Sequence, residues 1–394
     1  MSGPATPMQL IRESGPGKVF HAGWIMKDTR TILANAYLEV ANGAIQKVSA
    51  TRPKGDPIHD LGPGLIMPPL VNAHLHLELS ALAGRLPQTS GFQAWVAALI
   101  REREALGPET LTQEAARAVN SLASFGLGLV GEISTLGLTK EPVSKAGLSG
   151  VWFHEFLGTD IPDLDVNPSF PLAASLAGHA PHTTGPDLLK WGKERTRSAG
   201  LPFSIHTAES DAEIDFINGI RGDWLDFLVS RGIDTRDWPI GNKTPVQYLD
   251  DLNLLDRNTL CVHLLHLTDP DLAILARYQV PVCLCPRSNQ VLHNRLPDME
   301  KMLAHGLAPA LGTDSLASCP SLNVLDETAF IRKHFPGIHP RTILDMATVN
   351  GARALGLESF YGTLAPGKKC EFVYADISAN TTGDLIERLT LNAF

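Results

Sequence analysis

The stretch Pro68-Pro69-Leu70-Val71-Asn72-Ala73-His74-Leu75-His76 decides how the rest of the chain is read. An apolar run follows two prolines and ends in two histidines, two residues apart. In extended geometry residues i and i+2 face the same side, so both imidazoles can chelate one ion. Taken alone, such a pair is equally an ordinary polar strand end. Three later runs repeat the arrangement. Phe203-Ser204-Ile205-His206-Thr207-Ala208-Glu209 ends in a third histidine with a carboxylate three residues on, Leu260-Cys261-Val262-His263 ends in His, and Leu311-Gly312-Thr313-Asp314 ends in Asp. Four strand ends carrying imidazole or carboxylate point to a metal centre.

Outward from these ends, short apolar runs at 65–71, 128–133, 151–156, 172–177, 203–206, 260–263, 280–284 and 308–311 alternate with helical patterns such as 111–124, 187–198, 270–277 and 321–332. That alternation predicts parallel βα units, and eight of them predict a closed (β/α)8 TIM barrel whose site lies beyond the strand C-termini. Both flanks have another texture. Residues 18–63 alternate apolar and polar positions, broken at Asn42-Gly43 and Gly55-Asp56, and 362–376 has the same character. They predict a small β-sandwich built from the two ends of the chain. The expected division is 1–67 and 359–394 for the sandwich and 68–358 for the barrel, with helices near 341–355 leading back.

Composition narrows the class. The 394 residues are 44% hydrophobic and 19% charged, which excludes disorder for most of the chain. A net charge of −9, from 33 basic and 42 acidic residues, argues against non-specific binding to nucleic acid or an anionic membrane. No apolar run approaches the roughly 20 residues that span a bilayer, and Met1 to Phe20 lacks the apolar core of a secretory signal. Cys261, Cys283, Cys285, Cys319 and Cys370 form no CxxC pair and read as reduced, buried thiols. The expected setting is cytoplasmic. Other motifs fail: His76-Leu77-Glu78 lacks the PCxxC of a small zinc nucleobase deaminase, His154-Glu155 lacks the second His of HExxH, and Gly15-Pro16-Gly17-Lys18 lacks P-loop spacing.

The His-x-His strand, the HxxE strand, the later His and the terminal Asp together resemble the amidohydrolase superfamily over nearly the full chain. The resemblance implies one divalent ion held by His74, His76, His206 and Asp314. Branches with two metals bridge them through a modified lysine on the fourth strand; residues 171–179 contain none, which favours the mononuclear, deaminase-type branch. Three imidazoles and a carboxylate suit Zn2+, with Fe2+ and Mn2+ left open. Such an ion lowers the pKa of its water toward ~7. Glu209 then stands beside a ligand without being one and can protonate a ring nitrogen; otherwise it is a first-turn helix acid. His263 can steady developing charge, and Asp314 can take a proton. His266 is the rival to His263 but lies past the strand end. The remaining histidines, His293 among them, read as surface or satisfied core residues.

Finer stretches, Asn72 to Ser80, Ser90 to Val96, His154 to Gly158, His179 to Thr183 and Cys285 to Asn289, look like the chlorohydrolase/cytosine-deaminase-like group. Within it they are most similar to the aminodeoxyfutalosine deaminases, which act on a 6-aminopurine nucleoside in the futalosine route to menaquinone. The resemblance implies a substrate pocket of Phe92, Trp95, Glu155 and His179, with two further expected substrate contacts in Glu78, behind the metal ligands, and Arg287, which varies across the group. Phe92 and Trp95 lie on a helical pattern and could equally be core. Members often carry an aromatic residue where this chain has His182. The implied partner is a small-molecule aminopurine nucleoside, with a homodimer left open. Rival readings are an adenosine or S-adenosylhomocysteine deaminase, a chlorohydrolase-like enzyme, and a catalytically dead binding protein. The last normally loses a ligand or the acid, and this chain keeps all of them.

Overall fold

Two sheets share the chain in the computed structural model, which describes residues 8–54, 57–87, 91–220 and 222–393. Six strands come first: β1 (Gln9–Arg12), β2 (Lys18–Met26), β3 (Ile32–Ala41), β4 (Ala44–Ser49), β5 (Ile58–Asp60) and β6 (Leu65–Met67). Eight follow: β7 (Leu70–Leu75), β8 (Leu127–Ser134), β9 (Ser149–Phe156), β10 (Leu172–Gly178), β11 (Phe203–Thr207), β12 (Thr259–His263), β13 (Val282–Leu284) and β14 (Ala310–Leu311). A last strand, β15 (Glu371–Ala375), returns to the first group.

The run 65–71, expected as one barrel strand, is two strands in different sheets. Pro68-Pro69 offer no backbone donors, so no ladder runs through them. β6 pairs β15 and β2, whereas β7 opens the barrel. β7 to β14 form one parallel sheet in chain order, as a (β/α)8 barrel requires. Its interior is filled by Val71, Leu129, Val151, Phe153, Val262 and Cys283, packed against Leu355 and Tyr361. The helices expected near 341–355 are Pro340–Met346 and Val349–Ala354.

β7 and β14 close the barrel. Thr313 and Asp314 both donate backbone N–H groups to the His74 carbonyl, at 3.1 Å. Asn72 clamps the same place from its side chain, donating from Nδ2 to Thr313 Oγ1 (2.7 Å) and accepting from Thr313 N (3.1 Å). The ladder between β7 and β8 is irregular between Asn72 and Leu75, where the two histidines begin. Such irregularities re-aim side chains beside active sites.

The flanking strands form a single hydrogen-bonded sheet of seven strands rather than two separate layers. It curls because residues 368–370 bond near both of its edges. Ile45 N donates to Lys368 O and Glu13 N to Cys370 O, around a core that includes Phe20, Ile25, Leu38 and Phe372. The Asn42-Gly43 turn is as expected, with both residues at positive φ (53° and 75°); Gly55-Asp56 lie outside the described residues. The segment 359–394 divides. After β15, the Thr382–Thr390 helix leaves the sheet and docks on the barrel helix Val324–His334, where Arg332 pairs with Glu387 at 2.5 Å and Thr328 Oγ1 donates to Thr390 O at 3.1 Å. All five cysteines are buried and free. Among the described residues no helix is long and apolar enough to cross a membrane.

Asn72→Ala removes two hydrogen bonds from a buried seam, the one to the Thr313 hydroxyl and the one from the Thr313 N–H, which keeps only the His74 carbonyl. It is expected to cost about 1–3 kcal/mol, read as a lower urea midpoint at unchanged slope. An unmoved midpoint would show that the seam closes without this clamp.

Candidate active site

β7, β11 and β14 deliver their terminal side chains to one buried point. His74 Nε2 lies 3.2 Å from His76 Nε2 and 3.2 Å from His206 Nε2, and Asp314 Oδ1 is 3.6 Å from His76 Nε2. Burial holds the pKa of His74 well below the usual imidazole range, with the neighbouring imidazoles adding to the effect, and burial lowers His76 as well. His206 Nδ1 is 2.8 Å from the His179 carbonyl, so it donates there and leaves the Nε2 lone pair facing the cluster. Neutral nitrogens converging this way repel one another unless a cation stands among them. Ligands on a tetrahedral zinc at 2.0–2.1 Å stand about 3.3 Å apart, so the donor set fits a divalent ion. Glu155, His179 and His206 also lie within ligating reach of one another. His206 cannot serve both groups, because its Nδ1 is committed to a carbonyl and its Nε2 to the first cluster. The geometry suits one ion.

Glu209 sits beside this cluster on the turn that follows β11. Glu213 fixes the turn. Its buried carboxylate accepts from Ala208 N (2.9 Å) and Glu209 N (2.8 Å), while Ser210 Oγ caps the Asp211–Ile217 helix. Burial pushes the Glu213 carboxyl up to about 8. Burial also acts to raise Glu209, but the imidazoles of His263 and His293 outweigh it and hold that carboxyl well below its ordinary range. His263 Nε2 lies 3.6 Å from Glu209 Oε1, and burial pushes its pKa down to about 4, so the ring is neutral near pH 7. Asn289 Nδ2 is 2.9 Å from His263 Nδ1; donation there keeps the ring proton on Nε2. Ser288 and Ser318 donate to Asp314 Oδ2, at 2.5 and 2.9 Å. Ala208, His263, Leu264 and Asp314 all have positive φ (53°, 76°, 56° and 59°), backbone strain of the kind that concentrates at functional sites.

A cavity of about 220 Å3 opens over these groups. His76, His206, Glu209, His263 and Asp314 line it, as do Phe92, Trp95, Glu155 and His179. The structure therefore brings His263 to the cavity and leaves His266 outside it, in a side cleft near Asp211 and Arg295. Two expected substrate contacts are corrected. Glu78 is 2% exposed and turned away from the cavity, accepting from the Ser134 hydroxyl and from Leu136 N at 2.9 Å. Arg287 is consumed by structure, with Nε 2.7 Å from Glu327 Oε1 and an Nη2 donor 2.8 Å from the Ser321 carbonyl. His293 is a correction of the opposite sign. Read from sequence as surface or core, it lies 3.1 Å from the Glu209 carboxylate. Ser288 and Asn289 received no role from sequence; they are polar residues just past a strand end, within the Cys285 to Asn289 stretch. Trp224, Arg103 and Arg231 also line the cavity, and no local pattern announced them. His182 lines it too, packed on Trp224 with ring centroids 4.9 Å apart.

Residues 167–390 match the model of the amidohydrolase family. The chain belongs to that family. Among curated relatives, an aminodeoxyfutalosine deaminase of Deinococcus radiodurans is 31% identical, covering 74% of this chain and 73% of its own. A 5-methylthioadenosine/S-adenosylhomocysteine deaminase of Moorella thermoacetica is 30% identical, covering 82% and 76%. Among solved structures, Helicobacter pylori aminofutalosine deaminase with methylthio-coformycin superposes with a TM-score of 0.82 at 21% identity, covering 95% of this chain and 96% of that one. The barrel and its added sheet are thus the amidohydrolase fold, and the family is metal-dependent.

If Arg287 is structural, Arg287→Ala strands the buried Glu327 carboxylate. The expected cost is about 3–5 kcal/mol of stability, with KM of the surviving folded enzyme unchanged. A selective rise in KM at unchanged stability would return Arg287 to the substrate.

Proposed function

We propose that this amidohydrolase is a hydrolytic deaminase of a 6-aminopurine nucleoside, with 6-amino-6-deoxyfutalosine the substrate and futalosine and ammonia the products. The observation that carries this reading is Glu209, a carboxylate at the cavity wall with His263 beside it and the cluster of His74, His76 and His206 next to it, of which His76 and His206 line the same cavity. His74, His76, His206 and Asp314 would hold the ion, for which Zn2+ suits the donors best. When bound, a divalent cation supplies the Lewis acidity that makes water nucleophilic near neutral pH.

The chain's own groups then manage the protons. Glu209, ionised at rest, takes one proton from the attacking water and passes it to ring N1, which makes C6 more electron-poor as the oxygen adds there. Asp314 Oδ1 takes the remaining proton from the added hydroxyl, and His263 Nε2–H stabilises the charge that develops on that oxygen. Asp314 passes its proton to the exocyclic nitrogen, which leaves as ammonia as the C6 oxygen becomes a carbonyl. The ring keeps the oxygen and a proton on N1, and the glycosidic bond is untouched. Phe92, Trp95, Glu155 and His179 bound the space for the nucleoside. Phe92, Trp95, Trp224 and Phe227 share the cavity with Arg103 and Arg231, a surface that suits an aromatic, anionic substituent. That combination, with the relatives' names, supports aminodeoxyfutalosine over adenosine. The relative from Moorella supports the second reading, a methylthioadenosine or S-adenosylhomocysteine deaminase.

Purified enzyme with aminodeoxyfutalosine is expected to release ammonia and give the 6-oxo nucleoside, followed by mass spectrometry. Its kcat/KM should exceed those for adenosine, methylthioadenosine and S-adenosylhomocysteine. No ammonia from any of them would defeat the deaminase reading; equal efficiency on all would defeat only the substrate. Two variants separate ligand from acid. His74→Ala should lose bound metal and turnover together, whereas Glu209→Gln should keep metal and lose at least ~100-fold in kcat. Parallel metal loss in Glu209→Gln would make that residue a ligand.

A further inference from the structure

His293 ends the Pro286–His293 helix, 8% exposed, with its ring 4.8 Å from that of Phe92. It lines a side cleft of about 290 Å3, together with Ser210, Asp211, His266 and Arg295, and touches the substrate cavity through Glu209, which lines that cavity. Its Nε2 reaches Oε1 of Glu209 at 3.1 Å. Oε2 of Glu209 has no hydrogen bond among the described residues, and the backbone beneath is already held by Glu213. One oxygen of the carboxylate is thus tethered and the other is open.

We propose that His293 is a positioning residue for the catalytic carboxylate: its Nε2–H holds Oε1 of Glu209 and leaves Oε2 as the oxygen that exchanges protons with substrate. A donor at Oε1 is compatible with an ionised carboxylate and with one protonated on Oε2, but it opposes a proton on Oε1 itself. The tether therefore survives the whole proton cycle and selects the oxygen that carries the proton. It also stops the carboxylate rotating, a motion that would carry Oε2 away from the ring nitrogen. Asn289, one helical turn earlier, orients His263 from the same helix, so the two groups on either side of Glu209 Oε1 are set by one rigid element. This inference rests on the deaminase reading above for its link to turnover, while the hydrogen bond itself does not depend on the substrate.

Two variants and one spectrum test it. His293→Leu removes the donor. It is expected to lower kcat on the best 6-aminopurine nucleoside at least about 10-fold, with KM within about 2-fold and metal content unchanged. His293→Gln restores an N–H of similar reach and should recover most of the loss, which a simple packing role would not predict. In nitrogen-filtered proton NMR of the metal-loaded wild type without substrate, the His293 Nε2–H resonance should be protected from exchange and lose that protection in Glu209→Ala. Unchanged kcat in His293→Leu, failure of Gln to rescue, or a resonance indifferent to Glu209→Ala would each overturn the proposal. If the wild type deaminates no aminopurine nucleoside, the functional reading fails instead, and the spectrum still decides the tether.

Discussion

Closing the barrel and assembling its site are one event, because both happen at the seam between β7 and β14. The His74 carbonyl accepts from Thr313 and Asp314, so the backbone bonds that join the last barrel strand to the first also set the distance between the imidazoles and Asp314. Asn72 adds a side-chain clamp two residues before His74. A barrel that failed to close here would still have strands and helices, but the ligand cluster would be split across an open edge. The same seam explains a glycine. A Cβ on Gly312 would lie 2.6 Å from the His74 carbonyl oxygen, so only glycine lets the strands approach closely enough.

A second layer of constraint comes from the helix after β13. Over two turns it supplies Ser288 to Asp314, Asn289 to His263 and His293 to Glu209. Each contact fixes an orientation that the strand ends leave free. His263, Leu264, Ala208 and Asp314 hold backbone conformations that cost of order 1–3 kcal/mol each. They persist because neighbouring chain over-determines them; Leu265 and His266, for example, both donate backbone N–H groups to the Ala208 carbonyl.

The strand ends were legible in sequence because each pairs a short apolar run with a His or Asp at its C-terminal edge, and a barrel converges such edges. The fold class followed from the same runs. Residues whose meaning depends on a distant partner were not legible. Glu78 and Arg287 sit beside residues of the site in the chain, and that neighbourhood suggested substrate. Their actual partners, Ser134 and Glu327, lie 56 and 40 residues away. His293 looked idle for the same reason, since Glu209 is 84 residues from it. Pro68-Pro69 were visible as breakers, yet nothing local said that the strands on either side join different sheets. The single curled sheet was hidden too, because its closure depends on residues 368–370 meeting strands from the opposite end of the chain.

That last pairing has a consequence for biogenesis. β1 pairs residues 9–12 with residues 371–374 of β15, and β6 borders the other side of the same late strand. During synthesis the first sheet must wait, with β1 and β6 lacking the strand that lies between them, until residues 371–375 have emerged. Contacts of such sequence separation slow folding, and unpaired edges invite association with other chains. The barrel, built from successive neighbours, can assemble progressively meanwhile. The nascent protein is therefore most exposed to aggregation through its small sheet, and a carboxy-terminal truncation before β15 would leave that gap open permanently.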